Sequence, residues 1–88
     1  MKTATAVMTK VENLYFDLQR KMMEFERMEM HSTDEEMEKI DYPFLMDKLN
    51  ALQSRLGEYL EKKWNWDMNK ATEKFYRSRW YQTFERTR

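Results

Sequence analysis

The chain has no cysteine, one glycine, one proline and one histidine among its 88 residues. Without cysteine neither a disulfide frame nor a thiolate zinc site can form, and a reducing compartment is permitted. So few glycines and prolines leave few turns, which favours long helices over a meander of short strands. No apolar stretch approaches the roughly 20 residues needed to cross a bilayer, and the start "MKTATAVMTKV" lacks the apolar segment of a secretory signal. The expectation is a cytoplasmic protein with no membrane partner.

Chemistry-bearing patterns are also scarce. His31 has no convergent ligands at helical spacing, so a surface or capping role is expected of it. The adjacent carboxylates Glu35 and Glu36 suit the start of a helix, where the backbone dipole favours acids, better than a catalytic pair. There is no glycine-rich phosphate loop and no serine–histidine pairing. No catalytic residue, metal ligand or cofactor is expected, and the chain is read as a non-enzyme.

What is present is apolar and charged material in quantity: 41% hydrophobic residues, 15% aromatic and 36% charged, with a mean hydropathy of −1.03. That is too much apolar content for a disordered chain. It is also more than one small domain buries comfortably, since chains of this size bury only about 60 to 65% of their unfolded surface. A single domain over residues 1–88 is expected to be all-α and self-associating, as an antiparallel helical hairpin or a small three-helix bundle.

The formal net charge is zero, yet the charges are segregated. Residues 24–41 carry eight acids against two bases, a net of −6, whereas residues 62–88 carry eight bases against three acids, a net of +5. The two runs either face each other or serve as acidic and basic patches for partners.

Helices are expected at about residues 4–30, 43–63 and 67–86, with an acidic connector over 31–42. In the first, Val7, Val11, Leu14, Leu18, Met22 and Phe25 recur at the period of one helix face, and Phe16, Met23 and Met30 add a second line. In the connector, Ser32 with Glu35 and Thr33 with Glu36 both fit a capping box, so a short helix over about 34–40 is plausible. Pro43 suits the first turn of the next helix. There Leu45, Leu49, Leu52, Leu56 and Tyr59, with Leu60 alongside, form a seam expected to hold the fold. Gly57 within it marks either close approach of another backbone or simple tolerance, and is read as tolerated. A break is expected near "WNWD", capped by Asn65 or Asp67.

The last fifteen residues, "KFYRSRWYQTFERTR", interleave aromatic and basic side chains. As one helix they align Tyr76, Trp80 and Phe84 in a stripe beside Lys70, Lys74, Arg77, Tyr81 and Arg88. Trp, Tyr and Arg are the residues that dominate protein interfaces, so Tyr76, Trp80, Tyr81, Phe84, Lys74 and Arg77 are the expected partner-binding set. The expected role is a protein-interaction module, an adaptor, assembly factor or inhibitor that docks to a protein partner, to another copy or to both. Aromatics beside cations also suit single-stranded nucleic acid, which makes a small nucleic-acid-binding regulator the alternative. The nine methionines supply adaptable apolar surface, either within a core or toward a partner.

Overall fold

The computed structural model describes residues 2–87, with side chains from residue 6 onward. Arg88 of the expected basic stripe lies outside the described residues. The described chain is all-α: α1 (Lys2–Met30), α2 (Asp34–Lys39), α3 (Tyr42–Trp64), α4 (Met68–Arg77) and α5 (Arg79–Arg86).

Each boundary has a local cause. Met30 ends α1 ahead of Ser32 and Thr33, whose hydroxyls compete for backbone bonds. Of the two possible capping boxes the chain uses Thr33 with Glu36: the Thr33 hydroxyl accepts from the Glu36 N–H at 3.2 Å, and the Glu36 carboxylate accepts from the Thr33 N–H at 3.3 Å. Pro43 lies in the first turn of α3, entered through Asp41 in the left-handed conformation with φ of 51°. Asn65, also left-handed, ends α3, and Asp67 then caps α4 by accepting from the Lys70 N–H at 3.1 Å.

α1 is the spine, and its 29 residues make it about 43 Å long at the usual helical rise. Gln53 donates to Gln19 at 2.6 Å, Tyr15 lies against Gly57, and Tyr42 is influenced by Glu29. Contacts in that reversed order mean that α3 returns alongside α1 in the opposite direction. From Trp66 onward the order is direct. Trp66 donates to Glu12 at 2.6 Å, Phe75 stacks on Phe16, Trp80 lies under Arg20, and Phe84 lies under Arg27. Thus α4 and α5 run with α1, on the side of it that carries Glu12, Phe16, Arg20 and Arg27.

The core is small. Among the described residues, Met22, Met37, Leu60, Ala71 and Phe75 are its buried hydrophobic residues, and Leu60 is the one large side chain that is fully enclosed. Leu60 also anchors the end of α3, since its carbonyl accepts from the Asn65 and Trp66 N–H groups. The indole N–H of Trp64 is buried without an acceptor, in contrast to its neighbour Trp66. Leaving such a donor unpaired costs about 1 to 3 kcal/mol.

The expected leucine seam is only partly covered: Leu60 beside it is enclosed and Leu45, Leu49 and Leu56 are half-buried. Leu52 remains 49% exposed and Tyr59 is also exposed, while Gly57 and Leu60 are buried. Taking about 100° per residue, the sector of α3 that meets α1 is centred on Gln53, Gly57 and Leu60, roughly 90° around from the seam. The seam therefore flanks the contact. Gly57 is also not merely tolerated, because a Cβ there would lie 3.1 Å from Met68 Cε and 3.2 Å from Tyr15 Cε2.

The molecule is elongated, 50 × 28 × 20 Å, with a radius of gyration of 15.1 Å. A compact chain of this length has a radius near 12 Å. Its accessible surface of 7049 Å² likewise exceeds the roughly 5,600 Å² of a compact monomer of its mass. Large apolar side chains share in this exposure, among them Val7, Leu14, Leu52 and Tyr59.

Candidate partner-binding surface

The C-terminal aromatics sit on two helices, not one. Ser78 adopts an extended conformation, φ −67° and ψ 154°, and closes α4 while opening α5. Its hydroxyl donates to the Phe75 carbonyl at 2.6 Å and accepts from the Tyr81 N–H at 3.3 Å. Gln82 bridges the break from outside, donating to the Tyr76 carbonyl at 3.0 Å. The expected single helix over 67–86 is thus interrupted at Ser78, because a serine can satisfy the freed groups on both sides. The interruption rotates α5 relative to α4 and dissolves the regular stripe of Tyr76, Trp80 and Phe84.

A contiguous aromatic cluster takes its place. Phe75 is buried at its centre, stacked on Phe16 with ring centroids 5.2 Å apart and planes 10° apart. Around Phe75 lie Tyr76, Trp80 and Tyr81, at 5.6, 5.8 and 6.0 Å. Trp80 stacks in turn on Phe84 at 4.9 Å, and Tyr81 meets Tyr76 edge to face at 4.7 Å. Trp80, Tyr81 and Phe84 are half-buried by these contacts, whereas Tyr76 keeps 45% of its surface exposed. Lys74 and Arg77 are exposed on the same helix.

The cations that touch the aromatic rings come from α1. The Arg27 guanidinium lies 3.5 Å from the Phe84 ring centroid, donates to the Phe84 carbonyl, and donates to the Thr87 hydroxyl at 2.8 Å. Arg20 lies 5.9 Å from the Trp80 ring and is also bonded to Asp17. Phe16, Arg20 and Arg27 therefore hold the cluster from beneath. The sequence reading missed both arginines. Their signal was available: they are seven apart on the second line of α1, beside Phe16 and Met23.

Two open grooves border the cluster. One, of about 200 Å³, runs between α1 and α4 past Phe16, Arg20, Lys74 and Ser78. The other, of about 540 Å³, lies between the end of α1 and α5, where Glu26, Arg27, His31 and Glu85 meet Met30 and Phe84. Among the described residues no group of three or more His, Asp or Glu side chains is arranged to hold a metal ion. No described helix is long and apolar enough to cross a membrane.

Burial lifts the Tyr15 hydroxyl above its ordinary pKa of 10.0, and the Glu61 carboxylate adds to the effect. Tyr42 is raised in the same direction, first by partial desolvation and then by Glu29. Both tyrosines flank the α1/α3 contact, and Tyr15 also meets Phe16, at the base of the aromatic cluster, edge to face at 5.1 Å.

No protein-family model, curated protein or solved structure matches this chain.

Proposed function

We propose that this chain is a small, non-enzymatic protein-interaction module of the cytoplasm, acting as an adaptor, assembly factor or inhibitor. Its scaffold is the antiparallel hairpin of α1 and α3, to which α4 and α5 add a third layer. The partner-binding surface is the outer side of that layer: Tyr76 with Lys74 and Arg77, backed by Trp80, Tyr81 and Phe84.

The observation that favours protein over nucleic acid is the way the rings are already stacked. Base binding needs free aromatic faces, yet Phe75 is stacked on Phe16, and Trp80 on Phe84. What remains is a set of ring edges and hydroxyls with cations beside them. Such groups, fixed in place from below, suit a protein interface, where little ordering entropy is then lost on binding. The nucleic-acid alternative draws on one feature, the exposure of Tyr76 between Lys74 and Arg77.

Fluorescence anisotropy with mixed-sequence single-stranded DNA and RNA at two salt concentrations tests the choice. The interaction-module reading expects weak binding, little changed by Lys74→Ala or Arg77→Ala. Submicromolar affinity near physiological salt, falling steeply as salt rises and lost in those variants, would replace it with the nucleic-acid reading.

A further inference from the structure

We infer that the side of the α1/α3 pair opposite α4 and α5 is a dimer interface, covered by a second copy of this chain. The inference rests on the reading that the protein works by associating with protein, but it concerns a different surface from the aromatic cluster. It begins with the excess surface, about 1,400 Å² beyond that of a compact monomer of this mass.

Among the described residues, four of the nine exposed large hydrophobic side chains lie on one side. On α1, Glu12, Phe16, Arg20 and Arg27 point to α4 and α5, and Leu14 lies roughly 160° around from Phe16. On α3, Gly57 lies against both Met68 of α4 and Tyr15 of α1, and Tyr59 and Leu52 lie roughly 160° and 140° around from it. Since α1 and α3 run in opposite directions, these rotations carry both sets to the same side of the pair. The result is a two-helix sheet of apolar residues, with Val7 and Leu14 along one helix and Leu52 and Tyr59 along the other, all exposed. Leu18, Phe25, Leu45, Leu49 and Leu56 are half-buried at its centre line.

The dimensions suit a self-contact. From Val7 to Phe25 the face is about 27 Å long, and two helices packed at the usual spacing make it about 20 Å wide. A second copy would cover roughly 500 Å² on each chain, about 1,000 Å² in all, which reaches the lower bound for a specific interface.

Charge on the rims favours a second copy over an unrelated helix. Residues that face each other across the α1/α3 contact have numbers adding to 72, as Gln19 with Gln53 and Tyr15 with Gly57. A two-fold axis parallel to the helices lays α1 of one copy over α3 of the other at those same levels. The outer rim of α1 carries Asp17 and Glu24, each already paired within its own chain, with Arg20 and Lys21 respectively, and that of α3 carries Arg55 and Lys48; all four rim residues are exposed. Asp17 then falls beside Arg55 of the second copy, and Glu24 beside its Lys48. Symmetry makes each pair twice. The third level sets Lys10 beside Lys62, with Glu58 one turn away on the same rim.

Sedimentation of the full chain over a micromolar dilution series tests this, with circular dichroism to verify folding. The expected result is a reversible dimer. Leu52→Glu substitutes a position already open in the single chain, so it should keep its helicity while its dimer Kd rises at least about a hundredfold. Glu24→Lys alone should weaken the dimer by about fivefold, and adding Lys48→Glu should restore it, an effect small enough to leave folding untouched. Trp80→Ala should leave dimerisation unchanged. A monomer throughout overturns the inference while leaving a different protein as partner for the aromatic surface. A dimer that survives Leu52→Glu, that is not restored by the Glu24→Lys, Lys48→Glu exchange, or that is lost in Trp80→Ala overturns the assignment to this face.

Discussion

Leu60 and Leu52 carry the same side chain on the same helix, eight residues apart, and truncating them should have very different consequences. Leu60 is 0% exposed, and its carbonyl is held by two N–H groups at the end of α3. That anchoring hinders the backbone from closing over a void, so Leu60→Ala falls in the middle to upper part of the usual range for buried leucine, about 3 to 4 kcal/mol. The whole domain is expected to be worth only about 4 to 13 kcal/mol, so the variant loses a large share of its stability. For a chain of this size, about 4 to 8 °C per kcal/mol gives a fall in Tm of about 12 to 32 °C. Leu52 keeps half of its surface in water, so Leu52→Ala should cost about 1 kcal/mol in the monomer. Thermal unfolding followed by circular dichroism at low micromolar concentration separates the two. Low concentration is essential, because a dimer that covers Leu52 would add to its apparent cost by mass action. A loss in dilute Leu52→Ala equal to that in Leu60→Ala would refute the placement of the α3 contact sector.

Gly57→Ala should gain about 1 kcal/mol from helix propensity but lose about 2 kcal/mol by overpacking, for a net destabilisation near 1 kcal/mol. The Met68 methyl can move aside, whereas the Tyr15 ring is braced edge to face by Phe16 and Trp66; urea denaturation should register the loss, and a stabilised variant would mean that the ring yields. Alkaline pH should unfold the protein partly through Tyr15, whose folded pKa is raised by burial and then by Glu61. The neutral hydroxyl is favoured in the folded chain, so this contribution is complete below pH 10 and is lost as pH rises from there through the raised folded value. Tyr15→Phe should flatten that part of the stability profile, and an unchanged alkaline slope would assign it elsewhere.

The helices were legible because their apolar residues recur every three or four positions, and the Thr33/Glu36 box was legible because its chemistry is local. The facing sector of α3 was not. A broad apolar arc shows that a helix is amphipathic, but the neighbour that settles against it chooses a sector by shape, and here a glycine admitting Tyr15 and Met68 centres the contact on Gly57 and Leu60 and leaves Leu52 and Tyr59 exposed. The aromatic surface was legible in its members but not in its geometry. Its stripe depended on an unbroken helix, and one serine able to serve both sides of a break removed that condition. Arg20 and Arg27 went unnoticed for a related reason: tertiary contact from α1 supplied the cations that local spacing had assigned to Lys74 and Arg77.

The contact between Tyr15 and Met68 also decides how the protein responds to oxidants. With no cysteine, side-chain sulfur oxidation falls to the nine methionines. Met30 is exposed on α1, and an oxygen added to its sulfur projects into water. Met68 is different, because its sulfur accepts the Tyr15 hydroxyl at 3.9 Å while its methyl occupies the space over Gly57. A sulfoxide there turns a soft apolar group into a polar, bulkier one at the point where α1, α3 and α4 meet. Damage at that single sulfur is felt by Tyr15 and, through it, by Phe16 and Trp66. Enzymatic reduction of the sulfoxide would therefore repair a helix junction, whereas at Met30 it would repair only a surface.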